Sequence, residues 1–193
     1  WEKHNQELSA HNDWLNRQQF ASLHFKNQKG TDLVVELAEG HIWEGGCEKS
    51  QHGVVFNPNM PTEENFTMPK RTGVQGRVQA TKPLSYQGKL IQNFWIEFEQ
   101  GKAVRWHAEE EEAALASLIE FDEGSAYLGE VALIDADTPI SQSGILFYNT
   151  LFDENASCHL ALGRAYPMNM EGSQDMSEEE MKAKGCNFSM VHV

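Results

Sequence analysis

A glutamate inside an apolar strand pattern is the feature that most constrains how this chain folds. In "YLGEVALI" (residues 127–134), Glu130 is flanked by Leu128, Val131 and Leu133. An ionised carboxylate left alone in an apolar interior is costly, so it must be paired, bound to a cation or turned to solvent. The same breach recurs twice, where His159 interrupts "SCHLALG" and His192 sits in "FSMVHV". Asp153, Glu154 and Asn155 precede His159 in "NTLFDENASCHLALG", and Glu63 and Glu64 lie in the loop "NPNMPTEEN". Imidazole nitrogens with carboxylate oxygens form a donor set that suits zinc or cobalt better than calcium. A solvent-facing glutamate and structural histidines would leave the same pattern, and no short signature such as HExxH decides between the two.

Around these segments the chain reads as α+β, with strands dominating and helices at three places. No glycine or proline occurs before Gly30, and Leu8, Trp14 and Leu15 give a loose helical period, which predicts a long first helix. "SLHFKNQKGTDLVVELAEG" reads as a hairpin about the polar turn Asn27 to Gly30. "HIWEGG" and "GVVFN" suggest a further strand entering the loop that carries Glu63 and Glu64. From Gly73 to Ala108 the pattern is again strand-like. A hairpin turns there at Gln100 and Gly101, with Phe94, Ile96 and Phe98 on one face.

"AEEEEAALASLIEF" predicts a second helix, with glutamates 109–112 in its first turn and Leu115, Leu118 and Ile119 facing the core. Ser177 and Glu180 stand at capping-box spacing before a third helix that stops at Gly185. "NFSMVHV" reads as the start of a strand. The 193 residues contain no internal repeat or low-complexity linker, which fits one domain. Beginning without Met and stopping inside a strand pattern, the chain reads as a piece of a longer protein.

Fifteen basic against 29 acidic residues give a formal net charge of −14, which opposes binding to nucleic acid or anionic lipid. No signal peptide is recognisable, and no run approaches the roughly 20 apolar residues of a membrane span. A soluble, cytoplasmic protein is expected. Cys47, Cys158 and Cys186 form no CxxC pair and read as reduced thiols. Cys158 is disfavoured as a nucleophile for His159, because neighbours on a strand point to opposite faces. His41, His52 and His107 read as structural, and the sequons at Asn65, Asn155 and Asn187 as chance matches.

Longer blocks carry a resemblance. "FNPNMPTEENFTMPKRTGVQGRV", "GSAYLGEVALI", "GILFYNTLFDENASCHLALGRAYP" and "GCNFSMVHV" resemble the aminopeptidase T, aminopeptidase S and PepS family of metalloaminopeptidases. "GTDLVVEL" and "HIWEGG" are similar to it too, so the resemblance covers essentially the whole chain in register. It implies an exopeptidase that removes N-terminal amino acids with two divalent ions, zinc or cobalt, with manganese or magnesium as alternatives. It also implies a two-domain protein assembled as a homodimer and acting on peptides. Residues 1–193 would be its C-terminal, metal-bearing catalytic domain, without the N-terminal α/β domain and the last strand residues.

Carried over residue by residue, the family's metal ligands fall on Glu64, on Glu130 as the bridging carboxylate, and on His159 and His192. Glu154 is a further ligand in this reading, and Tyr166 of "GRAYP" lines the site. The family pattern continues with an aspartate ligand two residues after the histidine, beyond Val193. The implied chemistry is hydrolysis by water activated between two ions about 3.5–4 Å apart. Glu64 or its neighbour Glu63 would move the proton, and Tyr166 would donate to the developing oxyanion. Arg164, Lys70 or Arg71 could orient a peptide carboxylate. Two other readings stand beside this one: a catalytically silent metal- or protein-binding module, and an acidic interaction domain without metal. Convergence of Glu130, His159 and His192 on one cavity separates the first from the others.

Overall fold

In the computed structural model, which describes residues 1–193, the chain opens with helix α1 (Glu2–Gln18). Leu8 and Leu15 are its buried residues, and Gln19 ends it in a left-handed conformation with φ 47°. The paired strands β1 (Ser22–Lys26) and β2 (Asp32–Leu37) follow, then the two-residue strands β3 (Glu48–Lys49) and β4 (Val55–Phe56). Next come β5 (Glu64–Thr67), β6 (Pro69–Gln79), β7 (Leu84–Tyr86), β8 (Lys89–Ile91), β9 (Trp95–Glu99) and β10 (Lys102–His107). Helix α2 (Glu112–Ile119), β11 (Leu128–Ile134), α3 (Pro139–Ser143), α4 (Thr150–Glu154), β12 (His159–Leu162) and α5 (Glu178–Ala183) complete the order.

Two antiparallel sheets organise these elements, one of five strands in the order β1-β2-β6-β9-β10 and one of three in the order β12-β11-β5. One apolar cluster joins them. Leu33, Val35, Val74, Ile96 and Phe98 of the larger sheet meet Leu115, Leu118 and Ile119 of α2, together with Leu128, Val131 and Leu162 of the smaller sheet. The smaller sheet thus spends one face on the core and leaves the other for polar side chains.

All three expected helices form, and α5 carries the Ser177–Glu180 capping box. Two five-residue helices add to them. Pro139 follows the N-cap Thr138, whose hydroxyl accepts the Ser141 N–H, and this local chemistry starts α3. The glutamate run differs from expectation: only Glu112 lies in the first turn of α2, and Glu111 is its N-cap at φ 59°. The preceding glutamates are held by side chains outside the helix, Glu109 by Asn93 and Glu110 by Gln92, while Glu111 pairs with Lys89. "HIWEGG" contributes isolated bridges, His41 to Met170 and Glu44 to Phe66, and no strand.

The expected strand in "NFSMVHV" is reduced to a bridge between Gly163 and His192, flanked by backbone bonds of Leu162 with Val193 and of the Arg164 N–H with the Val191 carbonyl. All three sequon asparagines are buried: Asn65 4%, Asn155 0% and Asn187 0% exposed. Each amide is hydrogen-bonded inside the protein, so none presents a surface acceptor. Every cysteine is free, and burial pushes the Cys186 thiol up to about 11. No helix is long and apolar enough to cross a membrane.

Candidate metal centre

Three strands of the smaller sheet each bring one polar side chain to its free face. Glu64 opens β5, Glu130 lies in β11 and His159 opens β12. Strict alternation would put Glu130 on the core side with Leu128. The register instead shifts between Leu128 and Glu130: Leu128 opposes Leu162, and Glu130 opposes Ala161. One extra residue, Gly129, therefore bulges and turns Glu130 to the opposite face. A Cβ on Gly129 would stand 2.3 Å from the Arg164 carbonyl oxygen, so glycine alone fits the bulge. An isolated glycine in a strand pattern is the sequence signal that could have revealed it.

The resulting geometry is close. His159 Nε2 lies 3.1 Å from Glu64 Oε2 and 3.4 Å from Glu130 Oε1. One ligand atom from each of the three residues falls within 4.8 Å of the others. His192 Nε2 approaches Glu130 from the other side, 3.7 Å from Oε2. Glu64 and Glu130 are buried, at 5% and 6% exposure.

The donor atoms fit a cation. Glu64 Oε2 and His159 Nε2 face each other as an ion-pair contact out of hydrogen-bond alignment, and both are buried with no hydrogen-bond partner. Buried polar atoms are nearly always satisfied, so such a facing pair calls for a ligand. The histidine tautomers agree. His159 Nδ1 contacts the Ser157 carbonyl oxygen at 3.2 Å, and His192 Nδ1 contacts that of Arg164 at 2.7 Å. A carbonyl only accepts, so each Nδ1 carries a proton and each Nε2 is left to the site.

Burial alone would depress His159, but Glu130 and Glu64 outweigh it and push its pKa up to about 10. A proton on Nε2 thus offsets one of the two carboxylate charges when no cation is bound. Metal binding displaces such protons. Burial pushes Glu154 up to about 7, opposed by His159 and reinforced by Glu64 and Glu130. Burial, helped by Glu130, also raises Tyr166, whose ring packs 4.6 Å from that of His192.

Glu64, Glu130, Glu154, Tyr166 and His192 line one cavity of about 360 Å³. His159 lines an adjacent, largely apolar cavity of about 390 Å³, and Glu154 borders both. The structure therefore gathers every candidate ligand and Tyr166. It also separates the adjacent glutamates: Glu63 turns away toward α1, 3.5 Å from His4 Nε2. Lys70 pairs with Glu36, and Arg71 binds Asn187 and Glu123. Neither they nor Arg164 line the cavity. The Cys158 thiol contacts the Ile134 carbonyl at 3.6 Å.

A sequence profile described as thermophilic metalloprotease (M29) matches residues 1–193. The chain belongs to the M29 metalloprotease family. This M29 chain is 52% identical to Aminopeptidase AmpS of Bacillus subtilis, across all of the chain and 47% of that protein. Aminopeptidase T of Thermus aquaticus is 50% identical, again over the full chain and 47% of its own length. The solved structure of wild-type AmpT from Thermus thermophilus superposes with a TM-score of 0.94 at 48% identity, over 100% of this chain and 47% of that one. The M29 chain thus spans about half the length of the curated relatives it matches.

Proposed function

We propose that residues 1–193 form the C-terminal catalytic domain of a two-domain aminopeptidase that hydrolyses the first bond of peptides. The observation that carries this reading is the pair Glu64 Oε2 and His159 Nε2, without hydrogen-bond partners, beside buried Glu130. The names of the relatives, all aminopeptidases, support it. Glu64, Glu130, His159 and His192 would hold two divalent ions, with Glu154 as a further ligand. The nitrogen and oxygen donors favour zinc or cobalt, with manganese or magnesium as alternatives. Such ions supply Lewis-acid polarisation and an activated water.

The chain's own groups supply the rest. Glu64 stands at the cavity and takes a proton there, whereas Glu63 faces α1. Without a cation, burial pushes Glu154 up to about 7, and a bound dication would hold it ionised as a ligand. Tyr166 keeps its phenolic proton, since its pKa is raised, and donates it in a hydrogen bond to the developing oxyanion. The lack of Lys or Arg in the cavity lining leaves it attractive to cations. The whole protein would act in the cytoplasm as a homodimer.

The test is a zinc or cobalt titration of the full-length protein, with His159→Ala alongside and an N-terminal peptide cleavage assay. Two ions per chain, a clear loss in the variant and cleavage by the parent are expected. Metal binding without cleavage would leave a silent module, and no binding would sink the metal reading.

A further inference from the structure

We propose that Glu44 is the wall of the cavity that takes the terminal ammonium of the substrate peptide. This rests on the aminopeptidase reading and names the chemistry by which that site would select a free N-terminus. Glu44 and Phe66 exchange both backbone hydrogen bonds, at 3.0 and 2.8 Å. Directly opposed residues share a face, and Phe66 shares its face with Glu64 by the period of two. Across the strands the row runs His159, Ala132, Phe66, Glu44. Glu44 thus extends the polar face of the smaller sheet by one position beyond β5. It stands diagonal to Glu64, a relation that spans about 7–8 Å.

Glu44 lines the same cavity as Glu64, Glu130, Glu154, Tyr166 and His192. The buried Glu64 Oε2, without a hydrogen-bond partner, marks that cavity as built for cationic ligands. Metal ions would account for Glu64, Glu130 and Glu154, and leave Glu44 over. It is half-buried, and its pKa is raised by burial and by the Glu48 carboxylate, with no cationic neighbour in opposition. A single half-buried carboxylate with one exposed neighbour is too poor a shell for another dication. It suits a monocation with several N–H donors, as an ammonium is.

The position is constructed. Gly45 and Gly46 adopt φ +153° and +87°, and a Cβ on Gly45 would stand 2.1 Å from the Glu64 carbonyl oxygen. Asn12 Nδ2 and Asn57 Nδ2 donate to the Gly45 and Gly46 carbonyls at 3.1 and 3.3 Å. Two glycines and two asparagines therefore press Glu44 against β5.

The experiment compares leucinol with 4-methylpentan-1-ol, the same molecule without its amine and neither with an amide to hydrolyse, as ligands of the zinc-loaded full-length protein. Binding is followed by calorimetry in the parent, Glu44→Gln and Glu44→Asp, with zinc stoichiometry measured on each. The parent is expected to prefer the amine by roughly tenfold, the scale of one charge-assisted hydrogen-bonded contact. Glu44→Gln should bring that preference within about twofold at unchanged stoichiometry, and Glu44→Asp should keep part of it. A parent preference that survives in Glu44→Gln, or a zinc-loaded parent with no preference, overturns the assignment. A parent that binds no zinc fails the metal reading instead, which the stoichiometry reports separately.

Discussion

His159 and His192 reach the same carboxylate, but the chain holds them by different means. His159 opens β12, which pairs in register with β11 from Glu130↔Ala161 to Ala132↔His159. Its place follows from a ladder of backbone bonds. His192 lies in residues 186–193, which contain neither helix nor strand. There, backbone bonds pair Val191 and Val193 with Arg164 and Leu162 at the end of β12, and two side-chain hubs fix the segment that leads to them. Asn187, fully buried, donates to the Gly124 and Gly163 carbonyls at 2.9 and 2.6 Å and accepts from Arg71 Nε. Asp122 accepts from Ser189 Oγ at 2.9 Å, the Met190 N–H at 2.7 Å and the Ser125 N–H at 2.8 Å. A ladder spreads position over many weak bonds, whereas a hub concentrates it in one residue. Single substitutions should therefore damage the His192 side far more than the His159 side.

The largest effect is expected at Asn187. Asn187→Ala leaves the Gly163 carbonyl and the Arg71 Nε–H without this partner, takes one of two bonds from the Gly124 carbonyl, and should cost about 3–5 kcal/mol in urea unfolding of the full-length protein. The control is Thr67→Ala in β5, where the fully buried hydroxyl makes one bond, 2.8 Å to the Ile42 carbonyl. That change should cost only about 1 kcal/mol. Equal costs would erase the contrast between hub and ladder.

Asp122→Ala should weaken zinc binding by roughly tenfold, as loss of an outer support of a ligand does. Combined with His192→Ala it should add nothing further. Additive losses would mean that Asp122 serves general stability and does not act through His192. The same carboxylate sets a pH dependence. Burial would raise Asp122, but bonds led by Met190 and Ser189 outweigh it and hold the carboxyl below its ordinary 3.8. A depressed folded pKa gives stability that is present above the unfolded value and lost as pH falls through the folded one. Melting temperature between about pH 5 and pH 2 should fall more gently in Asp122→Asn than in the parent. Parallel curves would remove Asp122 from the hub.

The smallest effect is expected at Glu63. Because it faces His4 and not the cavity, Glu63→Gln should leave the metal count unchanged and shift stability by less than about 0.5 kcal/mol. Loss of an ion in that variant would reverse the assignment between the two neighbouring glutamates.

Local chemistry was legible in the residues. The three longest helices, the hairpin of β1 and β2 and the apolar face of α2 follow from periodicity, capping and turn residues, which act within a few positions. Where such signals were short or the contacts distant, the pattern misled. Glutamates 109–111 look like a helix start but are drawn off by Asn93, Gln92 and Lys89. "FSMVHV" looks like a strand, but Asp122, far away in sequence, bends its start by taking the Ser189 hydroxyl and the Met190 N–H.

The sequence by itself determined that Glu130, His159 and His192 each needed a partner or solvent, because the cost of desolvating a charge or polar group is local to each apolar segment. Only the tertiary structure decided that they would meet. Alternation would have sent Glu130 into the core with Leu128, and the bulge at Gly129, pressed against the Arg164 carbonyl, reverses its face. Face parity depends on backbone register and on a close approach between distant segments: Gly129 permits a bulge, but the distant Arg164 carbonyl is what it is pressed against.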